Sequence, residues 1–181
     1  GGEENEEEAW EEGRTELMGA AAHGDTENVV ALLAAPGLDV NAADGVDSYT
    51  ALMLAADGGH TETVTVLLAA PGLDVNAAAG NGTTALMLAA DGGHTETITV
   101  LLAAPGLDVN AAANNGTTAL MLAARGGHTE TVTVLLAAPD LDVNAADRPD
   151  RAGTTALMLA AGEGHTETVT VLLAAPGLDV N

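Results

Sequence analysis

The seven-residue string TALMLAA begins at Thr50, Thr84, Thr118 and Thr155, and a diverged copy, TELMGAA, begins at Thr15. The starts are therefore 35, 34, 34 and 37 residues apart. A fixed period of this length constrains the fold more than any single residue does. Each unit is one small supersecondary piece that cannot bury its own apolar face, so neighbours must stack in a line to form a core. A short Gly-rich break follows each string, and then an apolar-rich run such as HTETVTVLLAAPGLDVN from His60 to Asn76. Five units fill residues 15–181, behind a lead-in over 1–14.

Each unit reads as two helices and a loop. The first helix, about Thr50 to Ala56, opens on Thr as N-cap and stops at Gly58-Gly59, whose backbone freedom suits a tight reversal. At this length it cannot stand alone. The second, about Thr61 to Ala70, sets Val64, Leu67 and Leu68 on one face at i, i+3, i+4 and is ended by Pro71-Gly72. Leu73 and Val75 are expected to turn inward, and residues 76–83 to form the loop to the next unit. The expected fold is an all-α solenoid of stacked helix–turn–helix units joined by loops. Hydrophobic residues make up 47% of the chain, but with one Trp, one Tyr and no Phe the core has to consist of small residues packed closely around Leu, Val and Met.

The order TALMLAA, GGHTE, VLL and DVNAA, then a GTT-like step, resembles the ankyrin repeat, whose pattern runs TPLHLAA, a Gly-His pair, VVxLLL and GADVN. The resemblance covers Thr15 to Asn181. Ala51, Ala85, Ala119 and Ala156 stand where the family has Pro. Met53, Met87, Met121 and Met158 stand where it has His, so the family's Thr-to-His hydrogen bond is absent. An added Pro, as at Pro71 and Pro105, makes most units one residue longer than the usual repeat of about 33.

Charge narrows the partners. Four basic against 27 acidic residues give a net charge of −23; there is no Lys, and the four Arg are Arg14, Arg125, Arg148 and Arg151. Nucleic acid is excluded as a partner, because a polyanion binder needs clustered cations to displace counterions. The excess acid reads first as a solvated surface, with a high-salt habitat or a cationic partner as the other readings. No stretch reaches the roughly 20 apolar residues of a membrane span, and no basic-then-apolar signal segment opens the chain, so a soluble protein is expected. The start at Gly1-Gly2 without Met leaves a processed form, a remnant and a fragment all open, and the compartment with them. Zero Cys removes disulfides and thiolate metal sites.

No catalytic, cofactor, metal or small-molecule site is expected. His60, His94, His128 and His165 recur once per unit and would stand about 10 Å apart, whereas a metal needs ligands within about 2 Å of one point. They read as bridges between backbone groups at the turn between helices. Thr50 and its equivalents read as helix caps, since no base recurs within reach. Asp44 with Asp47, and Asp147 with Asp150, lie in the two loops of unusual length; they lack the alternating oxygen ligands of a Ca²⁺ loop and read as solvated. The Asp of each LDVN, such as Asp74 and Asp108, reads as a turn residue bonding local backbone.

The resemblance implies a binding groove built from loop tips and the exposed side of the short helices. On matching positions its variable points are Gly45, Val46 and Tyr49, then Gly80, Asn81 and Thr83, then Asn114, Asn115 and Thr117, with Asp57, Asp91, Arg125 and Glu163 on the short-helix side. Of these, Tyr49, Asp57, Asn81, Asp91, Asn114, Asn115 and Arg125 are the expected partner contacts, joined by Arg148 and Arg151 because interface hot spots favour Trp, Tyr and Arg. The implied function is a non-catalytic scaffold for a protein partner.

The alternative is a structural subunit that binds copies of itself. Two features point that way. Thr recurs at 61, 63 and 65 and at 95, 97 and 99, then at 129, 131 and 133 and at 166, 168 and 170, on outer helices expected to be exposed. β-Branched residues lower helix propensity, so composition drift, a ladder against another subunit and a glycosylated or hydrating surface compete as explanations. The last unit is also as apolar as the internal ones, which reads as truncation or as a surface meeting another chain. Near-identical units leave a consensus-like design open, although the irregular insertion around 148–153 speaks against a purely idealised one. At the other end the lead-in holds seven Glu between Glu3 and Glu12, with Trp10 expected to cover the first unit.

Overall fold

The computed structural model describes residues 15–147 and 153–180. Ten helices lie in these residues, paired within each unit: α1 Glu16–Ala22 with α2 Thr26–Leu33, α3 Ala51–Asp57 with α4 Thr61–Leu68, α5 Ala85–Asp91 with α6 Thr95–Leu102, α7 Ala119–Arg125 with α8 Thr129–Leu136, and α9 Ala156–Gly162 with α10 Thr166–Leu173. First helices stack on first helices and second on second along the whole row, which is the expected solenoid. The acidic lead-in with Trp10, and Arg14, Arg148, Asp150 and Arg151, lie outside the described residues.

The helices start where the sequence places their caps. The hydroxyls of Thr50, Thr84 and Thr118 each accept the backbone N–H three residues on, from Met53, Met87 and Met121, at 3.4 Å. The first helix runs one residue beyond Ala56, to Asp57, and the second stops at Leu68 instead of Ala70 because Ala69 already serves as its C-cap. With Met in place of the family's His, the cap rests on this backbone bond alone, and the Met side chains fill the core: Met53, Met87 and Met121 are each 1% exposed, against 56% for Met158 in the last unit.

The buried face of the second helix differs from the expected one. Thr63, Val64 and Leu67 are buried, while Leu68 is half-buried, and the same holds for Thr97, Ile98 and Leu101 and for Thr131, Val132 and Leu135. The middle Thr of each TET is therefore not exposed. Its hydroxyl meets the first Thr of the preceding unit: Thr26 with Thr63, Thr61 with Thr97 and Thr95 with Thr131 at 2.8 Å, and Thr129 with Thr168 at 2.9 Å. A β-branched residue is tolerated in these helices because its methyl packs between units while its hydroxyl is satisfied there. The third Thr, as at Thr65, Thr99, Thr133 and Thr170, is exposed and donates to a carbonyl one turn back in its own helix.

Two further sets of side-chain bonds join neighbours. His94 Nε2 lies 2.9 Å from the Asp57 carbonyl of the preceding unit, and His60, His128 and His165 meet Ala22, Asp91 and Arg125 in the same way. A carbonyl only accepts, so the ring carries its proton on Nε2. These histidines do bridge backbone, but across units and not within one turn. Asn76 acts as a two-pronged clamp: its Nδ2 donates to Gly106 O at 2.7 Å and its Oδ1 accepts from Asp108 N at 2.8 Å. Asn41, Asn110 and Asn144 repeat the clamp on the units that follow them. Asp74, as expected, holds its own turn by accepting from Asn76 N at 3.0 Å. Among the described residues no buried side-chain N or O lacks a partner.

The loops are short hairpins, each pinned by an isolated antiparallel bridge: Ala43 with Thr50, Ala78 with Thr84, Ala112 with Thr118 and Ala146 with Thr155. Their tightest turn needs a left-handed residue. Gly82 and Gly116 supply it at φ 83° and 86°, but the equivalent in the second unit is Ser48, at φ 62°. A left-handed L-residue costs about 1–2 kcal/mol, partly offset by the unfolded-chain entropy that glycine adds. Ser48→Gly is therefore expected to stabilise by about 0.5–1 kcal/mol, read as a higher urea midpoint. A lower midpoint would show that the Ser48 side chain contributes more than its backbone costs.

Candidate protein-binding groove

The shared residues of the units are used up in joining one unit to the next, so the differences between units mark where chemistry is free to vary. Aligned on the TALMLAA strings, Asp47, Asn81 and Asn115 are equivalent, as are Tyr49, Thr83 and Thr117, and Asp57, Asp91 and Arg125. The first two sets lie at loop tips and the third at the C-terminal end of the first helix.

Neighbouring units frame a cleft among the described residues. Between the third and fourth units a cleft of about 290 Å³ is lined by Asn81 and Thr83 from one loop, Asn114, Asn115 and Thr117 from the next, and Met87, Leu122 and Arg125 from the helices beneath. Four of the expected contacts, Asn81, Asn114, Asn115 and Arg125, thus share one site. Adjacent loops are held in register by a backbone bond from Asn114 N to Asn81 O at 2.9 Å, and by Asn114 Nδ2 donating to Gly80 O at 3.1 Å. Asn81 and Asn115 each turn their amide oxygen back onto their own loop, accepting from Thr83 N at 2.9 Å and Thr117 N at 3.1 Å. That leaves their Nδ2 groups as the donors a partner can use. At the helix end Arg125 donates to the Asp91 carboxylate of the preceding unit at 3.0 Å, with both side chains about half exposed. Such a pair is worth at most about 1 kcal/mol and can open toward a partner.

Tyr49 and Asp57 belong to the loop tip and helix end of the second unit, upstream of this cleft. Tyr49 is half-buried, and its loop is tied down by the Asp44 carboxylate, which accepts from Asp47 N at 3.0 Å and Tyr49 N at 3.2 Å. Asp44 is accordingly a buried structural turn residue and not a solvated one. Partial burial raises the Tyr49 phenol above its ordinary pKa, and the charges of Asp47, Asp57 and Asp44 raise it further. It stays an O–H donor through neutral pH.

A second, larger cleft of about 440 Å³ lies at the far ends of α2 and α4, among Leu33, Leu38, Val66 and Pro71. All its lining side chains are apolar, so the polar groups it offers are those of the backbone.

A family model of three successive ankyrin repeats matches residues 17–113 and again 105–181. The chain belongs to the ankyrin-repeat family. None of the curated proteins matches it. Ankyrin repeats bind protein partners and are typically non-catalytic interaction domains. No helix among the described residues is long and apolar enough to cross a membrane.

Proposed function

We propose that this ankyrin chain is a non-catalytic scaffold that holds a protein partner in the groove of loop tips and first-helix ends. The observation that carries this reading is where the units differ. His, Thr and Asn, which recur in every internal unit, are engaged with the neighbouring unit, while the residues that vary between units line the groove. The groove's polar groups suit hydrogen bonding and ion pairing.

The same bonds weigh against self-association. Thr63, Thr97, Thr131 and Thr168 are buried inside the chain, which removes them from any lateral ladder between copies. End-to-end packing in the internal register would set Asp25 of one copy, the first unit's equivalent of His60, against the Gly162 carbonyl of another, where internal junctions place a His donor.

The test is selection of displayed random peptides on the full chain, followed by mapping on its amide signals. Groove binding is expected to shift Asn81, Thr83, Asn115 and Thr117. Tyr49→Ala combined with Arg125→Ala is expected to weaken the selected peptides by about a hundredfold or more, since hot-spot truncations cost about 2 kcal/mol each. Unchanged affinity would remove those two residues from the site. Shifts confined to the outer helices would overturn the reading.

A further inference from the structure

The cleft between the third and fourth units departs from the charge of the chain around it. In a protein of net charge −23, no carboxylate lines it among the described residues. The junction one step upstream has Asp47 where this one has Asn81, and Asp91 where this one has Arg125. A backbone N–H only donates, so the bonds from Thr83 N at 2.9 Å and Thr117 N at 3.1 Å fix which atom of the Asn81 and Asn115 amides is the oxygen. Both Nδ2 groups stay unspent as donors. The half-buried Thr83 and Thr117 line the same cleft with hydroxyls that either donate or accept. Arg125 adds N–H donors, and its charge is balanced by the Asp91 carboxylate at 3.0 Å.

We infer that this cleft seats an uncharged side-chain carboxamide of the protein partner, a Gln or an Asn. This rests on the groove reading above and names the group that the groove reads. The carboxamide oxygen accepts from the amide and guanidinium N–H groups, and its NH2 donates to the Thr hydroxyls. Neither charged alternative fits the lining as well. A Lys or Arg meets two amides and a guanidinium and no described carboxylate, while an Asp or Glu meets an Arg already paired and approaches against the charge of the whole chain. The volume, about 290 Å³, lies just below the roughly 300–1,000 Å³ of small-molecule sites and suits a single side chain. Ala113 and Leu122, both partly buried, add apolar surface against which the methylene stem of that side chain packs. The walls are set before binding, because Asn114 ties its loop to the preceding one through Asn81 O at 2.9 Å and Gly80 O at 3.1 Å.

The peptide selection tests this from both sides of the contact. Peptides that map to Asn81, Thr83, Asn115 and Thr117 are expected to share a Gln or Asn, and replacing that residue in the peptide by Glu should weaken binding by about tenfold or more, a loss of about 1.4 kcal/mol. On the chain, Asn81→Asp with Asn115→Asp keeps the oxygens that hold the two turns and removes both N–H donors. That variant is expected to lose about tenfold or more, and to keep the loss in 1 M salt, where the Debye length is about 3 Å and added charge alone is screened. Groove-mapped peptides that need no Gln or Asn, tighter binding of the Glu peptide, unchanged affinity in the double variant, or a loss that salt abolishes would each overturn the inference and leave the groove standing. Peptides that map elsewhere, or no selected peptides at all, would overturn both.

Discussion

Replacing Gly59 by Ala is expected to destabilise the chain by about 3–5 kcal/mol, whereas Gly72→Ala in the same unit should cost only about 1 kcal/mol. Both glycines are left-handed, at φ 65° and 78°, so each substitution meets the same backbone cost of about 1–2 kcal/mol, less what Ala saves in the unfolded chain. They differ in what a Cβ would touch. At Gly72 nothing lies within 4 Å, but at Gly59 a Cβ would come to 2.5 Å from Nδ1 of His94 in the next unit. The ring would have to move, and with it the bond to the Asp57 carbonyl, leaving both groups without their partner. Urea unfolding of the two variants measures the difference. His94→Ala in the Gly59→Ala background should recover part of the loss, because it removes the collision. Equal costs at Gly59 and Gly72 would mean that the His94 stack contributes little to the junction.

That contact marks the limit of what a single unit reveals. The period, the Thr caps and the Gly breaks are local, and they are enough to predict five helix pairs in a line. The bonds between units are not local. HTET read as an exposed helix start because Thr and Glu are polar, yet the middle Thr faces the neighbour, whose first Thr lies in the right place to bond it. Residue spacing within one helix cannot distinguish an outward hydroxyl from one facing an identical hydroxyl 36 residues away. The Asn of DVN was hidden for the same reason: its Asp partner within the turn was foreseeable, but the amide clamp on the following unit requires the stacking distance. Strict recurrence of polar residues does not separate the two cases either, since the exposed Thr65 and Glu62 repeat as faithfully as the buried Thr63. The groove was legible in part. Asn81, Asn114, Asn115 and Arg125 meet in one cleft as the resemblance implied, while the pairing of Arg125 with Asp91 depends on which rotamers neighbouring helix ends can share. The raised pKa of the Tyr49 phenol likewise depends on its burial and on charges from two segments, the loop bearing Asp44 and Asp47 and the helix ending at Asp57.

Leu101→Ala should lower stability by about 2–5 kcal/mol and Leu102→Ala by about half as much, although the two are adjacent and identical in type. Leu101 is fully buried beside Ile98 on the inner face of α6, so truncation loses its transfer free energy and leaves a cavity. Leu102 is only partly buried against the same core, and water can fill what its removal opens. The central location adds a second consequence. Units in a solenoid are stabilised mainly by their neighbours, so weakening the third lowers the coupling on both sides at once. Each junction here is also held by Thr, His and Asn bonds that fail together when a unit shifts. Urea unfolding followed by amide exchange is expected to show the units on either side of Leu101 losing protection at separate midpoints in the variant, where the unsubstituted chain unfolds as one. A single sharp transition merely displaced to lower urea would show that the polar bonds between units, and not the Leu101 packing, carry the cooperativity.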